Sequence, residues 1–305
     1  MRTAYLAPEE HLDELLEELN GQVRIEAVHD RLVLAAGEAV PAVWAQNIWF
    51  EPQELEAGSI TQAAQALRKL QRNWALYSVG LHRRAQLIAG KLPKLAVREL
   101  EFPAVLPAAP MGSWTLLEKD RILASTRCAS PFPNGEIHFK ENRHDPPSRA
   151  YLKLWEALTL AGVHPRADER CLDLGSSPGS WTWALQKLGC EVLSVDKAPL
   201  ADTVAGLPGV RILKRDAFTL EPGELGRVDW LFCDVICYPQ RLLELVTRWL
   251  GAGVCDRYVC TIKLQGREPS AEDRSAIQAL AAIPGSTVRH AFHNKHELTW
   301  TKLSG

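Results

Sequence analysis

The amino-acid sequence lacks any apolar run of the roughly 18 residues that a membrane-spanning helix needs. Its first residues lead into an acidic segment at 8–19, not into the apolar core of a secretion signal. The seven cysteines include no CxxC pair, which disfavours both a zinc knuckle and a disulfide framework. The sequence also contains no internal repeat and no low-complexity run. These absences predict a cytoplasmic protein with free thiols, no membrane attachment and no bound metal.

The length and the composition predict two domains. With 305 residues, of which 46% are hydrophobic, the chain is longer than one hydrophobic core usually supports. Turn residues at 131–135 and a polar connection at 141–147 separate two patterns of predicted elements. We therefore predict an N-terminal α+β domain over residues 1–140 and a second domain over residues 141–305. A monomer is the default expectation.

Charge is distributed unevenly along the predicted first domain. The net charge of −2 would usually count against a nucleic-acid partner, because contacts to phosphate need lysine and arginine. Residues 61–98, however, contain no acid, and their cations are interleaved with Trp74 and Tyr77. The cations of this stretch are Arg68, Lys69, Arg72, Arg83, Arg84, Lys91, Lys94 and Arg98. They form either an RNA-binding face or an ordinary solvated helical face.

Hydrophobic spacing predicts short elements of both kinds in the first domain. The predictions are strands at 3–6, 23–28 and 31–35, a helix at 8–19, a helix-rich region at 60–88 and a strand pair within 114–128. This pattern indicates a small α+β unit.

Helices alternate with apolar strands from residue 148 onward. The predictions are helices at 148–161, 180–188, 239–250 and 270–282, and strands at 170–174, 191–195, 210–213, 230–234, 257–262, 287–292 and 298–302. Strands that are apolar on both faces and alternate with helices form parallel sheets covered by helices. We therefore predict an α/β fold, Rossmann-like, doubly wound and mostly parallel, with the last two strands as an antiparallel edge.

Three aspartates stand at strand ends of this predicted sheet, where α/β proteins bind their ligands. Asp173 begins a glycine-rich loop, D-L-G-S-S-P-G at 173–179, while Asp196 ends the second strand and Asp216 follows the third. The loop lacks GxGxxG, which disfavours a dinucleotide. An acid after the second strand can accept both ribose hydroxyls, and one after the third can accept an adenine amino group. Any one acid could simply cap a helix, but the three together favour an adenosyl cofactor.

The same residues resemble a known family. The stretch D-L-G-S-S-P-G-S-W-T at 173–182 resembles the loop of FtsJ-type ribose 2′-O-methyltransferases, usually DLGxxPGGW, with Ser180 in place of a glycine. The stretch P-S-R-A-Y-L-K-L at 147–154 looks like the segment ahead of that loop in RlmM-like ribosomal RNA methyltransferases. Cys233-Asp234 and I-K-L at 262–264 match further on. The resemblance covers about half of the chain, from roughly residue 130 to the end.

The resemblance implies S-adenosylmethionine as the methyl donor, S-adenosylhomocysteine as the product and RNA, ribosomal RNA in particular, as the substrate. The implied cofactor site comprises Asp173, Gly175, Ser176, Ser177, Pro178, Gly179, Ser180, Trp181, Asp196, Asp216, Ala217 and Asp234. RlmM-like enzymes carry an RNA-binding THUMP domain before the catalytic part. Residues 1–140 show no motif that matches THUMP and form a short segment for one, but their basic stretch predicts an accessory RNA-binding role.

The resemblance also implies a Lys-Asp-Lys-Glu catalytic set, which falls on Lys153, Asp234, Lys263 and Glu297. Asp234 and Lys263 end predicted strands and therefore reach the same edge as the cofactor loop. Methyl transfer is an in-line displacement that requires the hydroxyl to be aligned and deprotonated. We predict that Lys263 is the base and that Lys153 positions the hydroxyl and lowers the pKa of Lys263. The two carboxylates would orient the ammoniums, with Glu297 assigned chiefly by resemblance.

Two other functions stay open at this point. Cys237 could attack a pyrimidine ring, as in RNA cytosine-C5 methyltransferases, although the proline of their D-x-P-C motif is missing and a buried structural cysteine is simpler. A catalytically inactive RNA-binding or assembly protein could also retain this fold. The spacing of His290, His293 and His296 suits no metal site, so we interpret them as surface residues or RNA contacts.

Overall fold

The computed structural model of the chain describes residues 1–95, 97–266 and 269–303. The chain divides into two units, the first formed by Met1–Leu100 and Leu106–His138 and the second by Glu101–Val105 and Phe139–Gly305. Of the helices within the described ranges, none is both long enough and apolar enough to cross a lipid bilayer.

The first unit combines helices with two sheets. Its helices are α1 (Leu12–Leu19), α2 (Ile60–Leu70) and α3 (His82–Ala89). Its strands are β1 (Arg2–Leu6), β2 (Arg24–His29), β3 (Leu32–Ala36), β4 (Asn47–Phe50), β5 (Gln53–Glu56), β6 (Trp74–Leu76), β7 (Gly112–Leu116), β8 (Arg121–Ser125) and β9 (Arg127–Cys128). One sheet has the strand order β2-β3-β1-β4-β9 and the other the order β5-β8-β7-β6. This is the α+β character that the sequence predicts.

Two apolar clusters hold the first unit together. In one, Leu67 of α2 and Ile88 of α3 pack with Trp114 of β7. In the other, Leu34 of β3 packs with Trp49 of β4. Burying a large apolar side chain contributes about 1.5–3 kcal/mol, so these clusters stabilise the unit without any disulfide among its described residues.

Strands β4, β5 and β6 are not predicted from the sequence, and β6 lies inside the region predicted to be rich in helix. Each strand has only three or four residues, too few to show an alternation of apolar and polar positions. Their partners are also distant in sequence, since Gln53 pairs with Ala124 and Trp74 with Gly112. Long-range packing therefore overrides the local pattern here.

The expectation that Trp74 and Tyr77 contribute to a face of cations is wrong, because both rings are buried. Trp74 Nε1 donates to the carbonyl oxygen of Leu67 at 2.9 Å, and the Tyr77 hydroxyl donates to Asp30. Arg68, Lys69, Arg72, Arg83, Lys91, Lys94 and Arg98 are exposed, and Arg84 is half-buried. The stretch thus offers positive charge to a partner, but these two aromatic rings cannot stack on its bases.

The second unit is built around a sheet of seven strands. These are β10 (Arg170–Leu174), β11 (Glu191–Asp196), β12 (Val210–Lys214), β13 (Trp230–Cys233), β14 (Arg257–Lys263), β15 (Ser286–Arg289) and β16 (Glu297–Lys302). The helices are α4 (Tyr151–Ala161), α5 (Ser180–Lys187), α6 (Asp202–Ala205), α7 (Pro239–Ala252) and α8 (Ala271–Ala281). All predicted helices and strands are present with ends shifted by a few residues, and α6 is additional.

The strand order of this sheet is β12-β11-β10-β13-β14-β16-β15. Strands β10 to β14 pair in parallel, whereas β16 runs antiparallel to both β14 and β15. The predicted doubly wound, mostly parallel α/β fold with an antiparallel edge is confirmed, and β16 lies inside that edge. The order reverses between β10 and β13, and such a reversal opens a crevice at the carboxyl ends of the strands.

Helix α4 precedes the first strand of the sheet and is buried along most of its length, from Tyr151 to Thr159. Its buried residues include two charged ones, Lys153 and Glu156. A charge is removed from water at a high cost unless it is paired and hydrogen-bonded. Both side chains therefore require specific partners, which lie at the carboxyl edge of the sheet.

Candidate active site at the carboxyl edge of the sheet

The loop between β10 and α5 approaches the end of β13 closely. Gly175 has a φ of +74°, and a Cβ atom there would lie 2.5 Å from Cγ2 and 2.8 Å from Cα of Val235. Both the left-handed backbone and the close approach therefore demand glycine. The backbone N–H of Ser177 donates to Asp196 Oδ2 at 3.0 Å, which ties the loop to the end of β11.

Asp196 and Asp216 both line a cleft beside this loop. Asp196 Oδ1 also accepts from the backbone N–H of Ala198 at 2.9 Å. Asp216 accepts from the backbone N–H of Phe218 at 2.9 Å and forms an ion pair with Lys197 at 3.3 Å. The hydrogen bond from Phe218 is the largest of the effects that keep the pKa of Asp216 below its usual value. Both carboxylates keep lone pairs for a ligand, since each oxygen accepts more than one hydrogen bond.

Asp173 lies fully buried at the end of β10. Thr182 Oγ1 donates to its Oδ2 at 2.6 Å, while no protein atom among the described residues is hydrogen-bonded to Oδ1. Burial raises the pKa of Asp173 from 3.8 to about 7, the Thr182 hydrogen bond opposes the rise, and the nearby Asp234 and Asp196 add to it. A cation held near these three acids would stabilise the ionised form.

The cleft has a volume of about 380 Å³. It is lined by Gly175, Ser177, Val195, Asp196, Lys197, Asp216, Ala217, Phe218, Asp234, Val235, Ile236, Arg241 and Lys263. Half of the implied cofactor residues thus lie in its wall. The additional wall residues escape prediction because most of them are apolar residues that flank strand ends. Arg241 comes from α7, where it stacks on the Phe218 ring at 3.8 Å from the ring centre.

Other implied cofactor residues have buried side chains that pack away from the cleft. Ser180 Oγ and Ser148 Oγ are 2.7 Å apart, and Trp181 Nε1 donates to the carbonyl oxygen of Ala150 at 2.9 Å. The side chains of Ser176, Ser180 and Trp181 are buried. Ser180 and Trp181 connect the glycine loop to the segment before α4. None of these three residues is part of the cleft wall, and Pro178 and Gly179 also lie outside it.

The residues present fit an adenosyl group. Ligand pockets are mainly apolar with a few fixed polar groups, and volumes of several hundred Å³ are typical. Here Phe218, Val235 and Ile236 supply apolar contact, while Asp196 and Asp216 supply acceptors at the ends of two neighbouring strands. Asp173, which has one oxygen without a hydrogen bond from the described residues, stands directly before the glycine turn.

Lys153, Asp234, Lys263 and Glu297 meet in a closed ring of alternating charge, hereafter the charge ring. Lys153 Nζ is 3.1 Å from Asp234 Oδ2 and 2.8 Å from Glu297 Oε1. Lys263 Nζ is 2.6 Å from Asp234 Oδ1 and 2.7 Å from Glu297 Oε2. Each ammonium bridges both carboxylates, and each carboxylate bridges both ammoniums.

Four separate elements deliver these side chains. Lys153 comes from the first turn of α4, Asp234 follows β13, Lys263 ends β14 and Glu297 begins β16. Because β14 and β16 are antiparallel, Lys263 lies directly opposite Glu297 in the register. The backbone N–H of Asp234 donates to the carbonyl oxygen of Leu174, which places Asp234 beside the glycine loop. The four predicted residues are thus together, and Glu297 is buried rather than facing solvent.

The electrostatics of the charge ring differ from the prediction in one respect. Its side chains are only 10–18% exposed, so screening by water is weak. Burial lowers the pKa of Lys263, but Asp234 and Glu297 outweigh it and raise that pKa above its usual value. The net shift is thus opposite to the lowering that the sequence predicts from Lys153, because the two carboxylates dominate in this state. For Asp234, burial favours the neutral form, yet Lys153 and Lys263 prevail and lower its pKa.

Cys237 lies near the cleft but is buried, and burial raises the pKa of its thiol to about 12. A thiolate is therefore strongly disfavoured, which counts against a nucleophilic cysteine. His290 and His293 are also not the surface residues that the sequence predicts. His290 Nε2 lies 2.8 Å from the carbonyl oxygen of Lys295, and His293 Nδ1 lies 2.8 Å from Glu156 Oε2.

A comparison with protein families finds a match within this second unit. Residues 146–247 match the family model described as FtsJ-like methyltransferase. The match spans the glycine loop, the acids at the ends of β11 and β12, and two members of the charge ring, Lys153 and Asp234. Residues 146–247 are therefore similar to FtsJ-like methyltransferases.

Curated relatives are more specific in name. The chain is 37% identical over 173 residues to ribosomal RNA large subunit methyltransferase M of Halorhodospira halophila, covering 55% of this chain and 50% of the relative. It is 35% identical over 195 residues to the protein of the same name from Alkalilimnicola ehrlichii, covering 60% and 53%. The chain thus spans about half the length of these relatives. Among solved structures, the fibrillarin pre-rRNA processing protein of Methanococcus jannaschii aligns weakly, at a TM-score of 0.38 and 15% identity over 62% of this chain and 81% of that one.

We expect Gly175→Ala to weaken binding of S-adenosylhomocysteine by at least about tenfold, because its Cβ would push the loop away from Val235. Gly162→Ala is the matched control. Gly162 has a similar φ of +67° but open space around it, so it isolates the backbone cost of about 1–2 kcal/mol. Calorimetric titration of both variants measures the difference. Equal affinities would contradict the crowding argument.

We expect Asp173→Asn to remove a pH dependence of stability. The folded-state pKa of about 7 exceeds the ordinary value of 3.8, so ionisation disfavours folding, and the wild type loses stability as pH rises from about 4 to about 7. The loss is about 4 kcal/mol at most. Denaturant unfolding at several pH values should show that the free energy of unfolding of the variant rises relative to that of the wild type between about pH 4 and about pH 7. A constant difference would contradict the assignment.

Proposed function

We propose that this protein transfers a methyl group from S-adenosylmethionine to a ribose 2′-hydroxyl of RNA, and that the RNA is ribosomal. The charge ring carries the proposal, because two of its members, Asp234 and Lys263, also line the adenosyl-sized cleft. The site that would hold the methyl donor and the site that would hold the hydroxyl therefore share these two residues. The relatives' names, both ribosomal RNA methyltransferases, support the choice of RNA.

The cofactor would be held by the glycine loop and by the acids at the ends of β11 and β12. When bound, S-adenosylmethionine supplies a methyl group on a positively charged sulfur, which a ribose oxygen can displace. Asp196 would accept from the ribose hydroxyls of the cofactor and Asp216 from its adenine amino group. Asp173 and Asp234, when ionised, would favour its positive charge.

The charge ring would orient and activate the hydroxyl of the substrate. A neutral hydroxyl is a weak nucleophile, so its proton must leave as the new carbon–oxygen bond forms. Lys153 would donate a hydrogen bond to the hydroxyl oxygen and fix its approach. Lys263 would first release a proton to solvent water and then take the proton of the hydroxyl, and Asp234 and Glu297 hold both lysine side chains in place.

The raised pKa of Lys263 sets a condition on this mechanism. With both carboxylates in contact, Lys263 is protonated at neutral pH in the cofactor-free state. A positive charge in the adjoining cleft repels the ammonium proton and lowers the pKa toward a useful range. The enzyme would thus favour its base form only when the methyl donor is present.

Residues 1–140 would act as an accessory RNA-binding domain ahead of a methyltransferase domain at 141–305. The exposed cations within 61–98 support this role, since they can neutralise phosphates and release counterions. Specific binding there would come from charge and shape, not from Trp74 or Tyr77, which are buried. An RNA substrate of this kind would place the activity in the cytoplasm.

We expect Lys263→Arg to abolish methyl transfer while leaving the charge ring intact. Arginine keeps the positive charge, but its pKa is too high for it to act as a base, so a loss of at least about 10²-fold is expected. Lys153→Met should also lower the rate, and both variants should still bind S-adenosylhomocysteine. The measurement is incorporation of labelled methyl into RNA from cells that lack this protein.

Cys237→Ala is the control variant in that assay. We expect it to retain full activity, because the buried thiol has no role in transfer to a ribose. Loss of activity in Cys237→Ala together with full activity in Lys263→Arg would instead indicate transfer to a pyrimidine base. If the protein binds the cofactor but transfers no methyl group to any RNA, it would instead be a catalytically inactive RNA-binding or assembly protein with this fold.

We expect the rate of methyl transfer to rise with pH as Lys263 loses its proton. Glu297→Gln removes one of the two carboxylates that raise the pKa of Lys263. The ammonium then loses its proton more readily, so the rising limb should move to lower pH, although the maximum rate also falls. Single-turnover rates between about pH 6 and 10 test this shift. A limb that stays in place or moves to higher pH would exclude Lys263 as the titrating base.

A further inference from the structure

Glu156 is a second buried charge on α4, and only 2% of it is exposed. Its Oε1 accepts from the backbone N–H of Phe292 at 2.7 Å. Its Oε2 accepts from the backbone N–H and from Nδ1 of His293, both at 2.8 Å. All three donors belong to the turn at 290–296, which connects β15 to β16. A carboxylate with several charge-assisted hydrogen bonds fixes its donors firmly.

The same turn leads directly into Glu297 of the charge ring. Asn294 provides the next link, since its Nδ2 donates to the carbonyl oxygen of Glu297 at 3.1 Å and to Thr299 Oγ1 at 3.0 Å. The backbone N–H of Asn294 also donates to the carbonyl oxygen of Ala291 at 3.0 Å. Hydrogen bonds at both ends, joined by the short backbone segment 292–294, therefore connect Glu156 to the backbone of Glu297.

Glu156 follows Lys153 by one helical turn, so both project from the same face of α4. Lys153 contacts the Glu297 side chain at 2.8 Å, while Glu156 holds the turn that supplies Glu297. Helix α4 thus fixes both the ammonium and the location of its carboxylate partner. We propose that Glu156 is a positioning residue for methyl transfer, which it supports by holding the 290–296 turn so that Glu297 completes the charge ring.

This inference rests on the proposed function for its catalytic consequence, but not for its structural one. A purely structural glutamate would stabilise the fold without acting through Glu297. Glu169 offers a matched comparison, because it is also buried and accepts from Arg166, Trp230 and Arg257. It precedes β10 and so lies at the opposite edge of the sheet from the charge ring.

The first experiment is a double-mutant cycle with Glu156→Gln and Glu297→Gln. The glutamine side chain has one oxygen that can accept a hydrogen bond. Its NH2 group can only donate, so it faces N–H groups that have lost their acceptor. We expect Glu156→Gln to lower kcat by about 10- to 100-fold, with KM for RNA and affinity for S-adenosylhomocysteine within about twofold of the wild type. In the Glu297→Gln background the added loss should be less than about twofold. The proposal would be overturned if the loss of kcat in the double variant equalled the product of the two single losses. An equal loss of kcat in Glu169→Gln would also overturn it.

The second experiment does not depend on activity. Hydrogen exchange should become at least about tenfold faster at 292–297 in Glu156→Gln and remain unchanged there in Glu169→Gln. If Glu156→Gln does not fold, His293→Ala removes one of the three donors and should give a smaller change of the same sign. Unchanged exchange at 292–297 in the folded variant would overturn the proposal. A wild-type protein that transfers no methyl to RNA would refute the proposed function instead, while exchange still decides the role of Glu156.

Discussion

The ion pairs among Lys153, Asp234, Lys263 and Glu297 are the constraint on which the second unit depends. Buried charges are stabilised only by complete pairing, and removing one partner of such a pair typically costs about 3–5 kcal/mol. In this ring every charge has two partners of opposite sign within 3.1 Å. Two parallel strands must therefore end, and the helix before the sheet and the antiparallel strand must begin, at one point.

That constraint also couples the two halves of the candidate site. Asp234 is hydrogen-bonded through its backbone to the end of β10, which leads into the glycine loop, and its side chain joins the charge ring. Gly175 permits this proximity, since a side chain there would collide with Val235 next to Asp234. A charged ligand in the cleft would consequently change the protonation of Lys263, and the hydroxyl would be activated where the methyl donor is bound.

The sequence predicts most of the second unit because its strands are long and apolar and because glycine and acids mark their ends. It predicts Lys153 and Glu297 only through family resemblance, since a lone charge on a helix or in a turn usually faces solvent. The direction of the pKa shift of Lys263 depends on four distances that no pattern encodes. Glu156 is missed for the same reason, because its donors lie more than a hundred residues away in sequence. In the first unit, strands of three or four residues carry too little pattern to be recognised.

In the proposed function, the charge ring directs the methyl group to a ribose oxygen. The most direct measurement is nucleoside mass spectrometry of RNA, from cells lacking this protein, after incubation with the purified protein and S-adenosylmethionine that carries an isotopically labelled methyl. If the charge ring acts on a ribose hydroxyl, the label stays with the ribose fragment when the base is cleaved from the nucleoside. Label on the base fragment would contradict it.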